Sequence, residues 1–141
     1  MSIAVDTNVI IDIVAGDVRT VARAMSVMQE TGGREALFLC PVVYAELHAH
    51  PGWKAVDIDS FLQNTNVLVD WELSQDVWSR AGSSFSTYCR RRTRSGGGSP
   101  RRLLADFVIG AHAESVGGIV TADVSFFKTN FPALRIVDAG G

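Results

Sequence analysis

Residues 1–12, MSIAVDTNVIID, place the apolar triplet Ile3-Ala4-Val5 directly before an acid, Asp6. The triplet reads as a first strand, and residues 8–15 read as the helix that leaves it. The same alternation recurs downstream. Asp17 is placed to cap a second helix to about residue 30, where Val18, Val21, Ala22, Met25 and Met28 repeat at helical spacing. Gly32-Gly33 stops that helix, and residues 36–40 form a continuous apolar run closed by Pro41, as a buried parallel strand does. Helices are expected at residues 42–50 and 56–63, a strand at residues 67–69 and a long helix at residues 74–89. A helix over residues 101–116 and strands at residues 119–121 and 135–137 complete the pattern. Alternation of strand and helix implies an α/β fold with a mostly parallel sheet of about five strands, covered on both faces.

The chain has 141 residues, 47 % hydrophobic and 20 % charged, which suits one compact domain over residues 1–141 with a core of its own. Cys40 and Cys89 have no CxxC spacing and read as reduced thiols, consistent with a cytoplasmic address. The start lacks a basic segment and carries an acid at position 6, so it does not read as a signal peptide. No apolar run approaches the roughly 20 residues that span a bilayer, so no membrane is expected. Net charge is −2, yet Arg90, Arg91, Arg92, Arg94, Arg101 and Arg102 fall together with no acid among them. Ser95-Gly96-Gly97-Gly98-Ser99-Pro100 lies inside that stretch, and residues 90–102 are expected to be a loop. It is either a solvated loop or a basic flap that grips phosphate groups.

Four acids are expected to meet. Active sites of parallel sheets lie at the carboxyl ends of the strands. Asp6 directly follows the first strand, and Asp123 lies just past the strand at residues 119–121. Glu46 is about one turn into the helix leaving the second strand, and Asp106 opens a helix that runs back antiparallel to the next. Asp106 shares a stripe with Leu103, Ile109, Gly110 and Ala113, and Glu46 sits among Val42, Val43 and Ala49. Acids on core-facing stripes need partners, and crowded carboxylates repel unless they are protonated or bridged by a cation. An oxygen-only donor set selects Mg²⁺ or Mn²⁺ over Zn²⁺, and one or two such ions suit phosphodiester hydrolysis. Taken singly, Asp6 and Asp123 also fit helix caps. Asp57, Asp59, Asp70, Glu72 and Asp76 read as solvated loop or cap residues, and His48, His50 and His112 as surface or packing residues.

Val5-Asp6-Thr7-Asn8-Val9-Ile10-Ile11-Asp12 resembles the first motif of PIN-domain ribonucleases, specifically VapC-type toxins. Val43-Tyr44-Ala45-Glu46-Leu47, the segment from Leu104-Ala105-Asp106 to Ala113, and Val120-Thr121-Ala122-Asp123 with Phe126-Phe127 fit the same pattern in order. The resemblance implies a PIN-like three-layer α/β/α fold and a Mg²⁺- or Mn²⁺-dependent endoribonuclease. It implies a homodimer, and the toxin of a toxin–antitoxin pair blocked by a cognate VapB-type antitoxin. By position, Asp6, Glu46, Asp106 and Asp123 become the metal-site acids, with Asn8 and Thr121 as polar supports. Glu46 and Asp123 are left to bind directly, through water or to a second ion. The glycine run looks longer than the family's usual connection.

Other functions compete for the same residues. A haloacid-dehalogenase-type phosphatase needs an acid two positions after Asp6, where this chain has Asn8. Dinucleotide binding would need a GxGxxG after the first strand, which is missing. A catalytically silent RNA- or protein-binding module stays open, because sequence does not prove turnover.

Overall fold

A computed structural model describes residues 1–97 and 102–140. The strand β1 (Ser2–Val5) has Ile3, Ala4 and Val5 all buried. Successive side chains of a strand point to opposite faces, so both faces of β1 are covered. Asp6 ends the strand and is at once the N-cap of α1 (Thr7–Ala15), so no loop separates the two. Next come α2 (Val18–Gly32), β2 (Ala36–Leu39), α3 (Pro41–Leu47), α4 (Ala55–Asn64) and β3 (Val67–Val69). The second half holds α5 (Gln75–Arg94), α6 (Leu104–Val116), β4 (Ile119–Thr121), α7 (Val124–Asn130) and β5 (Ile136–Asp138).

The five strands form one sheet in the order β3-β2-β1-β4-β5, and every pairing is parallel. The chain therefore builds outward from β1 on one side, then returns to build outward on the other. Such a reversal opens a crevice between the carboxyl ends of the two strands that flank it, here β1 and β4. Register places the site within that crevice: Val5 pairs with Val120, and the Asp6 N–H donates to the Val120 carbonyl at 3.0 Å. Asp6 thus stands beside Thr121.

The helix α6 is buried continuously from Phe107 to Ala113. Gly110 lets it come close, because a Cβ there would strike the Phe131 ring. Phe107 packs against Phe85 and Phe126, each with ring centroids 5.2 Å away. This aromatic wedge fixes α6, and with it Asp106, against the sheet.

Several boundaries and roles differ from expectation. The loop expected from residue 90 is helical as far as Arg94, because arginines are good helix formers and positive charge suits a helix C-terminus. The helix expected from residue 101 begins at Leu104, where Asp106 turns back to accept from the Leu103 N–H at 3.3 Å. Leu103 itself is 70 % exposed and lies off the buried stripe assigned to it. Arg101 and residues 98–100 lie outside the described residues. Asp70 is no free loop acid: its carboxylate lies 3.0 Å from Nε2 of the fully buried His112.

Candidate active site

Asp6, Thr7, Asn8, Glu46, Arg102, Asp106 and Asp123 line one cleft at the carboxyl ends of β1 and β4. All four predicted acids are therefore brought together, from four separate segments. Asp6 lies deepest, with 7 % of its surface exposed. Its Oδ2 accepts from the Thr121 hydroxyl at 2.7 Å and from Asn8 Nδ2 at 3.1 Å, and its Oδ1 from the Thr7 N–H at 2.8 Å. Burial pushes its carboxyl up to about 6; the Asp106 and Glu46 carboxylates add to this, and the Thr121 and Thr7 hydrogen bonds oppose it. Asp106 is also held above its ordinary value, chiefly by burial and further by Asp123, with the Leu103 N–H and Arg102 acting the other way.

The two predicted polar supports form a single lattice with Asp6. Thr121 donates to Asp6 and accepts from the Asp123 N–H at 2.9 Å. Asn8 Oδ1 accepts from the Ala122 N–H at 3.1 Å, so one amide ties α1 to the turn after β4. Asp123 follows β4 as the N-cap residue of α7, but its side chain makes no cap hydrogen bond. It faces the cleft instead.

Two participants, Thr7 and Asp12, carry no role expected from sequence, and a third, Arg102, is expected only to meet RNA. The Thr7 hydroxyl donates to Glu46 Oε1 at 2.8 Å and so fixes the acid of α3 to the start of α1. Asp12, one turn beyond Asn8, is a fifth acid on the cleft wall. Arg102 is the largest correction: its Nη1 donates to Asp123 Oδ2 at 2.7 Å, so a cation partner for the acids does exist. Its guanidinium carbon also sits 4.6 Å from the centre of the Phe126 ring. Sequence marks Arg102 only as basic and close to Asp106; its pairing with an acid 21 residues away is tertiary.

Among the described residues, no three His, Cys, Asp or Glu side chains are arranged to hold a metal ion between them. Each carboxylate instead meets donors of the protein: Asp6 the Thr121–Asn8 lattice, Glu46 Thr7, Asp106 the Leu103 N–H and Asp123 Arg102. The donor set nevertheless fits a hard cation, being oxygen throughout, with a buried acid whose charge its neighbours oppose. Arg102 meets Asp123 through Oδ2, so it competes with a cation for that carboxylate. A second cleft at the amino ends of β2 and β3, lined by Met25, Met28 and Leu37, has one acid, Glu35, which Arg135 neutralises. It offers no comparable chemistry.

A family model for the PIN domain matches residues 3–132. The chain belongs to that family. This agrees with the resemblance carried by the four motifs. Among curated proteins, no sequence matches the chain. Among solved structures, VapBC-1 from nontypeable Haemophilus influenzae is similar over 100 % of both chains, with a TM-score of 0.68 and 19 % identity. VapBC2 from Rickettsia felis, bound to a DNA fragment from their promoter, is similar over 98 % of both chains, with a TM-score of 0.67 and 16 % identity. A toxin–antitoxin complex from Klebsiella pneumoniae is similar over 97 % of both, with a TM-score of 0.65 and 15 % identity. At these identities the likeness concerns the PIN fold. No helix among the described residues is long and apolar enough to cross a membrane.

Proposed function

We propose that the chain is a metal-dependent endoribonuclease and the toxin half of a VapBC-type pair, formed by one PIN domain over residues 1–141. The observation that carries the reading is the crevice itself. Buried Asp6, with Asp106 and Glu46 near enough to raise its pKa, lies where the strand order reverses in a PIN-domain chain. Four carboxylates kept close at a strand-end crevice make sense as a cation site.

Asp6, Asp106, Asp123 and Glu46 would hold Mg²⁺ or Mn²⁺. When bound, such an ion activates water and stabilises the oxygen leaving a phosphodiester. Thr121 and Asn8 orient Asp6, and Thr7 orients Glu46, which holds both carboxylates at the cleft. Arg102 neutralises Asp123 in the meantime. Similarity to toxin–antitoxin complexes supports an antitoxin partner of the VapB type; a homodimeric assembly and a cytoplasmic setting are part of the same proposal. A phosphatase of the haloacid-dehalogenase type finds no acid at position 8, and Asn8 is committed to Asp6 and Ala122. A catalytically silent module is the remaining alternative.

Turnover is tested by incubating the chain with structured and single-stranded RNAs in Mg²⁺ or Mn²⁺. Cleavage is expected for the wild type, and a loss of at least about a hundredfold for Asp6→Asn, in line with misplaced metal ligation. Equal cleavage by both, or none by either, rejects the nuclease reading.

A further inference from the structure

Beside the carboxylate cleft runs a groove between the end of α5 and α7, lined by Arg91, Arg92, Arg102, Thr129 and Asn130. Arg102 and Phe126 line both, so groove and cleft are continuous. No carboxylate lines the groove among the described residues. Three arginines therefore line a groove that is continuous with the acidic cleft, the Arg92 guanidinium donating to the Gly97 carbonyl and the Arg102 guanidinium to Asp123.

We infer that this groove is a phosphate subsite that holds the RNA strand next to the bond being cut, with Arg102 standing between subsite and acids. The proposal rests on the nuclease reading and adds where the strand runs. Guanidinium groups fork to match phosphate oxygens, and a substrate with evenly spaced phosphates must leave a buried acidic cleft by a positive path. The arginines of the groove are held in place. Arg91 Nη2 donates to Asn130 Oδ1 at 2.6 Å, and Asn130 Nδ2 in turn donates to the Phe126 carbonyl at 2.9 Å. The Arg102 backbone N–H donates to the Tyr88 hydroxyl at 3.1 Å while its guanidinium lies along Phe126. Side chains anchored in this way lose less entropy on meeting a phosphate.

The helical end of α5 also divides the basic cluster. Arg90 turns back along its own helix, its Nη1 donating to Ser86 Oγ at 3.1 Å, and it does not line the groove. The subsite thus uses part of the cluster rather than its total charge.

The test measures binding of a labelled single-stranded RNA 12-mer by fluorescence anisotropy at several salt concentrations. EDTA is present to prevent cleavage. Arg91→Gln is expected to weaken binding severalfold and to flatten the slope of log K against log salt by about 0.7, the value for one phosphate contact to a single strand. Arg91→Lys keeps most of the slope, which separates lost charge from lost folding. Arg90→Gln leaves slope and affinity as in the wild type. An unchanged slope in Arg91→Gln, or an equal flattening in Arg90→Gln, overturns the subsite in favour of a diffuse basic field. Cleavage is assayed separately in Mn²⁺. A wild type that binds through Arg91 yet never cuts keeps the subsite and removes only the nuclease reading.

Discussion

Asp6 releases its proton at about 6 in the folded chain against an ordinary value of 3.8, with burial the largest cause. The unfolded chain has therefore given up this proton near pH 4, while the folded chain keeps it to about pH 6. Stability from the protonated form is complete below pH 4 and is lost as pH rises through 6, a difference worth about 3 kcal/mol. At neutral pH the ionised carboxylate works against the fold. Asp6→Asn removes that charge but turns an NH₂ group toward a donor, so it should stabilise the metal-free chain by only about 1 kcal/mol at pH 7.5 while abolishing cleavage. The gain should shrink toward zero at pH 4. Urea unfolding in EDTA across this range checks it; a pH-independent difference would contradict the burial argument. At this scale sequence shows which residues are odd but not whom they meet. Asp6 and Asp106 stand out because acids interrupt apolar runs. The Arg102–Asp123 and Asp70–His112 pairs, 21 and 42 residues apart, do not stand out, since each depends on helix placements that no local pattern encodes.

Elements were legible where periodicity was long and stopped cleanly. The helix α2 begins at its expected cap, with Asp17 Oδ1 accepting from the Thr20 N–H at 2.8 Å, and ends at the glycine pair. The end of α5 was obscured because four arginines before a glycine run look like a charged loop. Helix propensity carries the chain on to Arg94, after which the Ser95 hydroxyl donates back to the Arg91 carbonyl at 3.0 Å. Gly110 shows the converse: a glycine inside a helix looks like a weakness, yet here it admits Phe131. Gly110→Val should overpack that contact and cost about 1–3 kcal/mol or more in thermal or urea unfolding. Because α6 also carries Asp106, cleavage should fall further than the loss of folded protein explains. Full specific activity in the folded fraction would show that α6 tolerates the shift without moving its acid.

The whole molecule brings together, at the reversal between β1 and β4, charges that no single element could tolerate. Alternation predicted a parallel sheet and the end at which the acids meet, whereas the strand order that puts β4 beside β1 arises from long-range packing. The consequence is global: Asp6, Glu46, Asp106 and Asp123 come from different parts of the chain, so a cation among them joins those parts. Ligands that bind only the folded state stabilise it by mass action, about 2.7 kcal/mol at a hundred times the dissociation constant. Mn²⁺ should accordingly raise the melting temperature by several degrees. Asp6→Asn should remove most of that rise despite its greater stability without metal. Arg102→Gln should enlarge the rise at limiting Mn²⁺, because Asp123 no longer has a competing cation. That pair is partly exposed, at 39 % and 29 % for the two side chains, so the gain in affinity should be only about two- to fivefold. Differential scanning fluorimetry over a Mn²⁺ titration measures all three. An equal rise in wild type and Asp6→Asn would place the ion elsewhere, and weaker Mn²⁺ binding by Arg102→Gln would make the arginine a support for the metal site rather than its rival.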